Sequence, residues 1–414
     1  MRNRRAETLA IAVAVAVCTA AAAGGCRGQP GPDAPLTVRD SAGVELVELG
    51  EKVLDTLTQW SLDSGALAIG SLDGPPEYQL NHAASPWQLS DGRIVLANNQ
   101  SEIRYYDRAG KHLSTVGGKG AGPGQYRILW SLYPLAGDSI LAFDELRRIT
   151  ILTPIGLLAR TYPFPPRASY PLFQWLPDRG AAFYDDDVQR MLSHAHSADA
   201  VIQDTVFLLT ADSTGQVRDT LDRLPGRWER VIGYTNWTGI SVSAEPLIAT
   251  GPRAIVAAHG DALALRWYRP QGGLRRITRV WASRHAVTPS DVEHEEAWWR
   301  AMYPRPISVE PGTSRERRHA EFRPLITRLV LDRRGRAWVR RWAFDDDPAA
   351  PWVVFDSAGH PLARIAMPGA FRPNDIGDDY VLGVLRDPGA VDVVIKYHLR
   401  RSGGAGRSSR GDSL

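Results

Sequence analysis

Cysteine is almost missing from this chain of 414 residues, which contains only Cys18 and Cys26. A small disulfide-stapled domain needs several cysteines spread through its folded body, so that class of protein is excluded. Both cysteines lie near the N-terminus, so the remainder of the chain must be held together by burial. A chain of this length can bury enough apolar surface to do so.

Long hydrophobic runs are also scarce. One run, Leu9 to Ala23, follows Arg2, Arg4 and Arg5 and ends at Gly24-Gly25-Cys26. It is too short for a comfortable transmembrane helix. A basic start, an apolar centre and a small-residue end are typical of a secretory signal, so residues 1–25 are predicted to be a signal peptide.

The position of Cys26 predicts a lipid anchor. A cysteine directly after two small residues resembles a bacterial lipobox, although Ala23 stands where Leu is usual. The resemblance implies lipidation of Cys26, a flexible tether over residues 26–36, and an exported protein attached to a membrane of the cell envelope on its periplasmic or surface face. The alternative is an incidental cysteine beside an ordinary cleavage site.

Neither sign of charge dominates. The chain has 49 Lys and Arg against 46 Asp and Glu, a formal net charge of +3. Removal of residues 1–25 would lower it to +1, because three arginines and one glutamate are lost. This balance is not the basic footprint of a nucleic-acid binder, and we expect no nucleic-acid partner.

Short β-rich runs separated by turn residues fill the rest of the chain. The first unit has strands near Trp87–Leu89, Arg93–Ala97, Glu102–Tyr106 and Lys111–Val116. Asp91-Gly92 and Asp107-x-x-Gly110 are hairpin turns between them. A second unit repeats the pattern, with Gly156 where the first has Gly110. Recurring four-stranded meanders are the unit of a β-propeller.

A glycine-rich loop, Gly117 to Tyr126, joins the first two units. It contains Pro123 and is not followed by helical patterning, so it does not meet the requirements of a phosphate-binding loop. Tyr106-Asp107-x-x-Gly110 followed by Val116-Gly-Gly-Lys-Gly-Ala-Gly-Pro-Gly-Gln-Tyr126 resembles six-bladed β-propellers of exported bacterial proteins, which are related to NHL-repeat and TolB-like propellers. The resemblance implies an all-β fold and no single activity.

We therefore expect one six-bladed β-propeller over residues 37–401 and a disordered tail over 402–414. Later units are expected around Phe173–Gly215, Pro246–Trp281 and Leu325–Met367, and the last contains Asp375–Asp379, Tyr380–Leu385 and Val391–Leu399. Residues 285–324 should be an excursion over one face, with a helix at Val292–Met302 capped by Ser290. An N-terminal strand within residues 42–64 should pair with Val391–Leu399 and close the ring.

Candidate metal ligands are scattered. His194, His196 and Asp199 fall in a polar insertion, where a solvated loop is the alternative to a metal site. The triplets Asp185–Asp187 and Asp345–Asp347 lack the glycine-bearing loop of a dedicated calcium site and more simply end strands. Propellers similar to this one include metal-dependent lactonases and hydrolases with carboxylate and Asn ligands, which would place Asn98, Asn99, Asp144 and Glu145 near a channel.

A dense group of arginines, Arg333, Arg334, Arg336, Arg340 and Arg341, has two interpretations. It is either a solvated edge or an anion-binding patch. No Gly-x-Ser-x-Gly motif and no Cys–His pairing is present, and no catalytic or cofactor-binding residue is assigned.

These features favour a monomeric, lipid-anchored, non-enzymatic propeller that binds a protein, glycan or small ligand without a cofactor. The alternative is a hydrolase or lactonase with a channel metal, for which calcium or zinc would be the candidates.

Overall fold

The computed structural model describes residues 30–63, 65–164, 168–176, 180–185, 200–232, 236–251, 253–302, 319–386 and 391–401. These residues form an all-β fold with two helices, α1 at Lys52–Asp55 and α2 at Pro289–Met302. In chain order the strands are β1 Thr37–Ser41, β2 Val44–Gly50, β3 Thr58–Leu62, β4 Leu67–Ile69, β5 Ala84–Gln88, β6 Ile94–Asn98, β7 Glu102–Tyr106, β8 His112–Gly117, β9 Leu129–Pro134, β10 Ile140–Asp144, β11 Arg148–Leu152, β12 Leu158–Pro163, β13 Ala168–Leu176, β14 Gly180–Asp185, β15 Val201–Ala211, β16 Val217–Ile232, β17 Asn236–Gly239, β18 Pro246–Gly251, β19 Ala254–His259, β20 Ala264–Tyr268, β21 Leu274–Trp281, β22 Ile326–Leu331, β23 Ala337–Arg341, β24 Ala350–Phe355, β25 Pro361–Met367, β26 Phe371–Ile376, β27 Tyr380–Leu385 and β28 Val393–Arg401.

Consecutive strands pair into antiparallel meanders. The meanders β5–β8 and β9–β12 are separate four-stranded sheets, and β13–β17 is a five-stranded one. Strands β18–β21, β22–β25 and β26–β28 form similar meanders to which N-terminal strands are added. In the first meander β6 is wholly buried, whereas β8 alternates between half-buried and exposed positions. Such alternation is expected of an outer strand with one face in water, and the architecture is consistent with a β-propeller.

The predicted glycine turns are confirmed. Gly110 and Gly156 have φ of +82° and +84°, a conformation that other residues adopt at a cost. Each donates its N–H to the carbonyl three residues earlier, Gly110 to Asp107 at 3.0 Å and Gly156 to Thr153 at 2.9 Å. The matching geometry explains why the sequence repeats Gly at this point of successive hairpins.

The segment before Ala84 adds strands to the outer edges of three meanders. Strand β2 pairs in parallel with β21, and β3 pairs in parallel with β25. Strand β3 also pairs antiparallel with the end of β28, where Leu62 faces Leu399. The expected pairing of residues 42–64 with the last strand is therefore present. The expectation was incomplete, because β2 joins a different meander and β4, outside residues 42–64, pairs with Val394 to Lys396.

The apolar core lies between meanders. One cluster joins Tyr105 and Val95 to Leu132 and Ile140 of the next meander, and similar clusters follow along the chain. A further cluster packs Tyr380 and Leu382 of the last meander against side chains of the first, among them Ile94 and Tyr106. Packing therefore connects each meander to its neighbour in sequence and also connects the last to the first.

One expected strand is displaced in the structure, and one strand was not expected. The inner strand of the last meander is Phe371–Ile376, whereas the expected segment Asp375–Asp379 mostly forms the following turn. Pro373 sits at a register shift there, which hid the strand from sequence patterning. The 16-residue strand β16 was missed because its polar residues, pairing with β15, do not alternate with apolar ones.

The expected helix is present but begins earlier. Thr288, rather than Ser290, caps α2: its hydroxyl accepts from Asp291 N at 3.3 Å, and its own N–H donates to Asp291 Oδ2 at 2.8 Å. This reciprocal arrangement has the form of a capping box. In the described part of the chain, no helix has the length and apolar character needed to cross a membrane. Residues 1–29 and 402–414, with the predicted signal peptide, Cys26 and the tail, lie outside that part.

Candidate functional site

A cavity of about 360 Å³ lies at the starts of the inner strands β18, β22 and β26. Helix α2 and the loop after β23 complete its wall. We call it the arginine cavity, after the charged residues that line it: Arg328, Arg340, Arg372, Arg386, Glu245, Glu295 and Asp345. A concave site with a few convergent polar groups is the usual form of a small-ligand site.

Asp345 holds two of these arginines. Its Oδ1 accepts from Arg340 Nη1 at 3.1 Å, and its Oδ2 accepts from Arg372 Nη2. Arg340 also donates from Nη2 to the carbonyls of Ala343 at 3.1 Å and Phe344 at 2.9 Å. One carboxylate thus orients two guanidinium groups and fixes the loop that carries it.

Arg340 is the most deeply placed of the four arginines, with 3% of its residue surface exposed. Its Nε has no hydrogen-bond partner among the described residues. A buried charged donor without a partner costs free energy, so a site that keeps one is a candidate for binding an acceptor from outside the chain.

Positive charge is crowded in the cavity. Burial lowers the pKa of Arg372, and the neighbouring Arg340 and Arg386 lower it further, against the opposing effect of Asp345. Arg386 lies 3.3 Å from Asp392 Oδ1 and donates from Nη2 to the carbonyl of Ala83 at 3.1 Å. The lining holds four arginines and three carboxylates. An anion in the cavity would relieve this repulsion.

Aromatic side chains form another part of the wall. His294 of α2 stacks on Phe344, with ring centroids 3.9 Å apart, and Trp342 meets Phe344 edge to face at 5.4 Å. Trp298 lines the cavity from α2. The site therefore offers aromatic surface beside guanidinium groups.

Helix α2 is held over the cavity by contacts of its N-terminal half. Asp291, next to its cap, accepts two bonds from Arg323, from Nε and Nη2, both at 2.8 Å. Burial opposes ionisation of Asp291, yet the bonds from Arg323 and Thr288 lower its pKa. Further along, Glu295 Oε2 accepts from Val242 N at 2.7 Å, and His294 Nε2 lies 2.6 Å from Asp346 Oδ1. The excursion therefore contributes wall residues, as its expected position over one face implied.

The triplet Asp345–Asp347 does more than end a strand. Asp345 pairs with Arg340 and Arg372, Asp346 with His294, and Asp347 Oδ2 accepts from Phe344 N at 2.7 Å. All three aspartate side chains therefore bind groups of the protein itself, and this arrangement gives no support to a calcium site at the triplet.

The arginine-rich stretch divides between the two interpretations. Arg336 and Arg340 are buried, so a solvated edge is wrong for them. Arg336 binds Asp332 Oδ2 at 2.6 Å, and Arg340 lines the cavity. Arg334 is exposed and pairs with Asp378 at the surface, as a solvated edge requires. Arg336, Trp338 and Arg340 share one face of the strand, and Ala337 and Val339 on the other face are buried as well.

Two of the expected channel ligands, Asn98 and Asp144, are bound to neighbouring protein groups. Asn98 binds the backbone N–H of Asn81 at 2.9 Å and Glu102 at 3.2 Å. Asp144 is buried and holds Arg148, whose Nη groups donate to the carbonyls of Ala121 and Gln125 in the glycine-rich loop at 2.7 and 2.6 Å. Asp144 thus stabilises the glycine-rich loop indirectly, because it orients Arg148, which binds carbonyl oxygens of the loop.

Within the described ranges, no group of three or more His, Cys, Asp and Glu side chains has an arrangement that could hold a metal ion. His194, His196, Asp199, Asp186 and Asp187 lie outside those ranges, as does the side chain of Asp185.

Sequence reasoning missed Arg372 and Arg386. Arg372 lies at the start of β26, and Arg386 lies directly after β27. These positions are at the same end of the last meander as Arg328 and Arg340 are in the meander before it. Arginine at the same end of neighbouring meanders was the signal, but it is readable only once strand boundaries are known.

No protein-family model and no curated protein matches the chain. Among solved structures, it resembles an exported protein from Bacteroides fragilis, with a TM-score of 0.45, 11% identity, and coverage of 86% of this chain and 99% of that one. It also resembles a DUF4221 member from Bacteroides vulgatus, with a TM-score of 0.42, 11% identity and coverage of 84% and 99%. For the WD40 repeats of RRP9 the TM-score is 0.41, with 11% identity and coverage of 82% and 100%. Likeness at this level does not define a function.

Proposed function

We propose that this chain is an exported, lipid-anchored binding protein built on a closed six-bladed β-propeller, and that it binds an anionic ligand in the arginine cavity. The observation that carries the binding function is the convergence of Arg340 and Arg372 on one carboxylate, with Arg328 and Arg386 beside them. The propeller and the anchor rest on separate observations.

The closed ring is supported by packing and by strand pairing. The last meander packs against the first, and β3 and β4 pair with β28. Closure is tested with Ser61→Cys and Arg400→Cys, because these residues face each other in the antiparallel pair. Oxidation should form an intramolecular disulfide, since paired strands bring Cα atoms within bonding range. Cross-linking no greater than in a Ser61→Cys and Arg218→Cys control, in which Arg218 is exposed on β16 and β16 does not pair with β3, would reject closure by this pair.

The lipid anchor is supported by the apolar run before Gly24-Gly25-Cys26 and by the absence of any later cysteine in the sequence. Cys26→Ser should move the protein from the membrane pellet to the soluble exported fraction, because acyl chains provide the attachment. A variant that stays in the membrane pellet would contradict lipid anchoring.

Anion binding is tested by calorimetric titration of acetate, phosphate and sulfate into the purified mature protein. Arg372→Met should weaken binding of whichever anion binds at least tenfold, since it removes a charge-assisted donor. Arg364→Met is the matched control, because Arg364 is exposed on β25 and away from the cavity. Arg386→Met, whose contacts differ, provides a second variant if Arg372→Met unfolds. Equal affinities in all variants would reject the site.

A resident metal is the test of the alternative, a channel hydrolase or lactonase. We expect elemental analysis of the mature protein to find no stoichiometric calcium or zinc before or after treatment with a chelator. A tightly bound metal near one per chain would favour the enzyme.

A further inference from the structure

We infer that the arginine cavity, if it has the binding function proposed above, selects a monocarboxylate attached to a ring over divalent anions such as phosphate. The inference deepens the proposed function by naming the ligand class. It rests on the charge of the lining, on the donors that remain available and on the aromatic wall.

The charge of the lining sets the charge of the ligand. Four arginines and three carboxylates line the cavity, and Asp392, outside the lining, lies 3.3 Å from Arg386, so the charges are close to balanced. One carboxylate adds a single negative charge to this nearly balanced site, whereas phosphate, with more than one negative charge near neutral pH, would leave a larger excess beside the buried Arg340 and its partner Asp345. Charge balance therefore favours a monoanion.

The available donors match one carboxylate. Asp345 already occupies Nη1 of Arg340 and Nη2 of Arg372, while Arg340 Nη2 is held by the carbonyls of Ala343 and Phe344. What remains on Arg340 is the buried Nε, without a partner in the described structure. Arg372 donates Nη1 to the carbonyl of Gly369 at 2.7 Å, and no partner is present for its Nε within the described residues. Two Nε donors from neighbouring guanidinium groups suit the two oxygens of a carboxylate better than three phosphate oxygens.

The aromatic wall suits the body of such a ligand. Trp342, Phe344 and Trp298 line the cavity and are partly exposed. Rings of comparable size stack on such surfaces, and the volume of about 360 Å³ is at the lower end for a small-molecule site. Two chemical sources carry a carboxylate on a ring, an acidic sugar and an aromatic acid, and the experiment separates them.

The experiment titrates D-glucuronate, 3-phenylpropionate, inorganic phosphate and the neutral partners D-glucose and 3-phenylpropanol into the purified mature protein by calorimetry. One ring carboxylate should bind at least tenfold more tightly than phosphate and than its own neutral partner. Tighter glucuronate would identify an acidic sugar as the source, and tighter phenylpropionate an aromatic acid.

Glu245→Gln tests the charge argument directly. Glu245 lines the cavity, and its side chain makes no hydrogen bond or ion pair in the described structure, so the substitution changes charge with little loss of structure. The ratio of phosphate to carboxylate affinity should rise about threefold as the lining loses one negative charge, because Glu245 is exposed and water screens its charge. Glu293→Gln, exposed on α2 outside the cavity, should leave the ratio unchanged.

Phosphate binding as tight as the ring carboxylates, or neutral partners binding equally well, would overturn the ligand class while leaving the anion site standing. An unchanged affinity ratio in Glu245→Gln would overturn the charge argument. Absence of binding by every anion would overturn the proposed function itself.

Discussion

Trp60 lies where the N-terminal segment joins the last strand, so its truncation measures how much that junction stabilises the fold. It is 5% exposed and packs beside Trp338, with ring centroids 5.6 Å apart. The guanidinium carbons of Arg336 and Arg401 lie 5.5 and 5.0 Å from its ring. Its backbone pairs with Arg401 of β28.

The magnitude follows from the buried area. A buried Trp side chain removes roughly 200 Å² from water, which at about 25 cal/mol per Å² corresponds to about 5 kcal/mol. Trp→Ala substitutions in cores cost about 3–5 kcal/mol. Two cation–π contacts would each add about 0.5–2 kcal/mol but are not additive with burial. We therefore expect Trp60→Ala to lower the free energy of unfolding by about 4 kcal/mol.

Urea unfolding followed by tryptophan fluorescence measures this loss, with Trp228→Ala as the matched control. Trp228 is 37% exposed on β16, so its removal should cost about 1 kcal/mol or less. Losses of the same small size in both variants would refute the reasoning, since they would mean that β3 is not an integral part of the core.

Three further predictions concern other parts of the fold. Asp375 accepts hydrogen bonds from Arg333, Tyr380 and the N–H of Gln88, and so it ties the last meander to the first. Asp375→Ala should therefore lower the free energy of unfolding by about 3 kcal/mol in the same urea assay. Asp378 forms an exposed pair with Arg334, so Asp378→Ala should cost less than about 1 kcal/mol. Gly117→Ala should be more destabilising in thermal unfolding than Gly118→Ala, because both have positive φ but only at Gly117 would the new Cβ meet Ser101 O, at 2.7 Å. Burial raises the pKa of Tyr105 from 10.0 to about 12, so the folded state retains a proton that the unfolded state loses. Stability is therefore intact below pH 10 and falls between pH 10 and 12, by up to about 3 kcal/mol. Tyr105→Phe should remove that part of the alkaline loss, and identical pH profiles would contradict the shift.

Local patterns were sufficient for much of the fold. Hairpin turns such as Asp107–Gly110 were readable because a positive φ nearly demands glycine, and strands such as Ile94–Asn98 because apolar β-formers lie between two turns. The helix expected at Val292–Met302 was readable from the polar start and the following proline, although it begins at Pro289. These features depend on residues a few positions apart, so they need no tertiary information.

The outer pairings of the N-terminal segment were only partly readable. An unpaired last strand implied an N-terminal partner, but the choice of β21, β25 or β28 for each N-terminal strand depends on contacts more than 200 residues apart in the chain. The displaced strand at Phe371–Ile376 shows a related limit, because a proline at a register shift is tolerated only where the partner strand allows it.

The cavity was decided by tertiary structure alone. The sequence determined that Arg340 shares strand parity with Trp338 and that Asp345 follows the same strand. It did not determine that Arg372, from the next meander, would meet the same carboxylate. Arginine on a strand is equally compatible with exposure to water and with burial beside a cavity. Which of the two is realised depends on the neighbouring meander and on α2, because their residues form the cavity wall around the guanidinium groups.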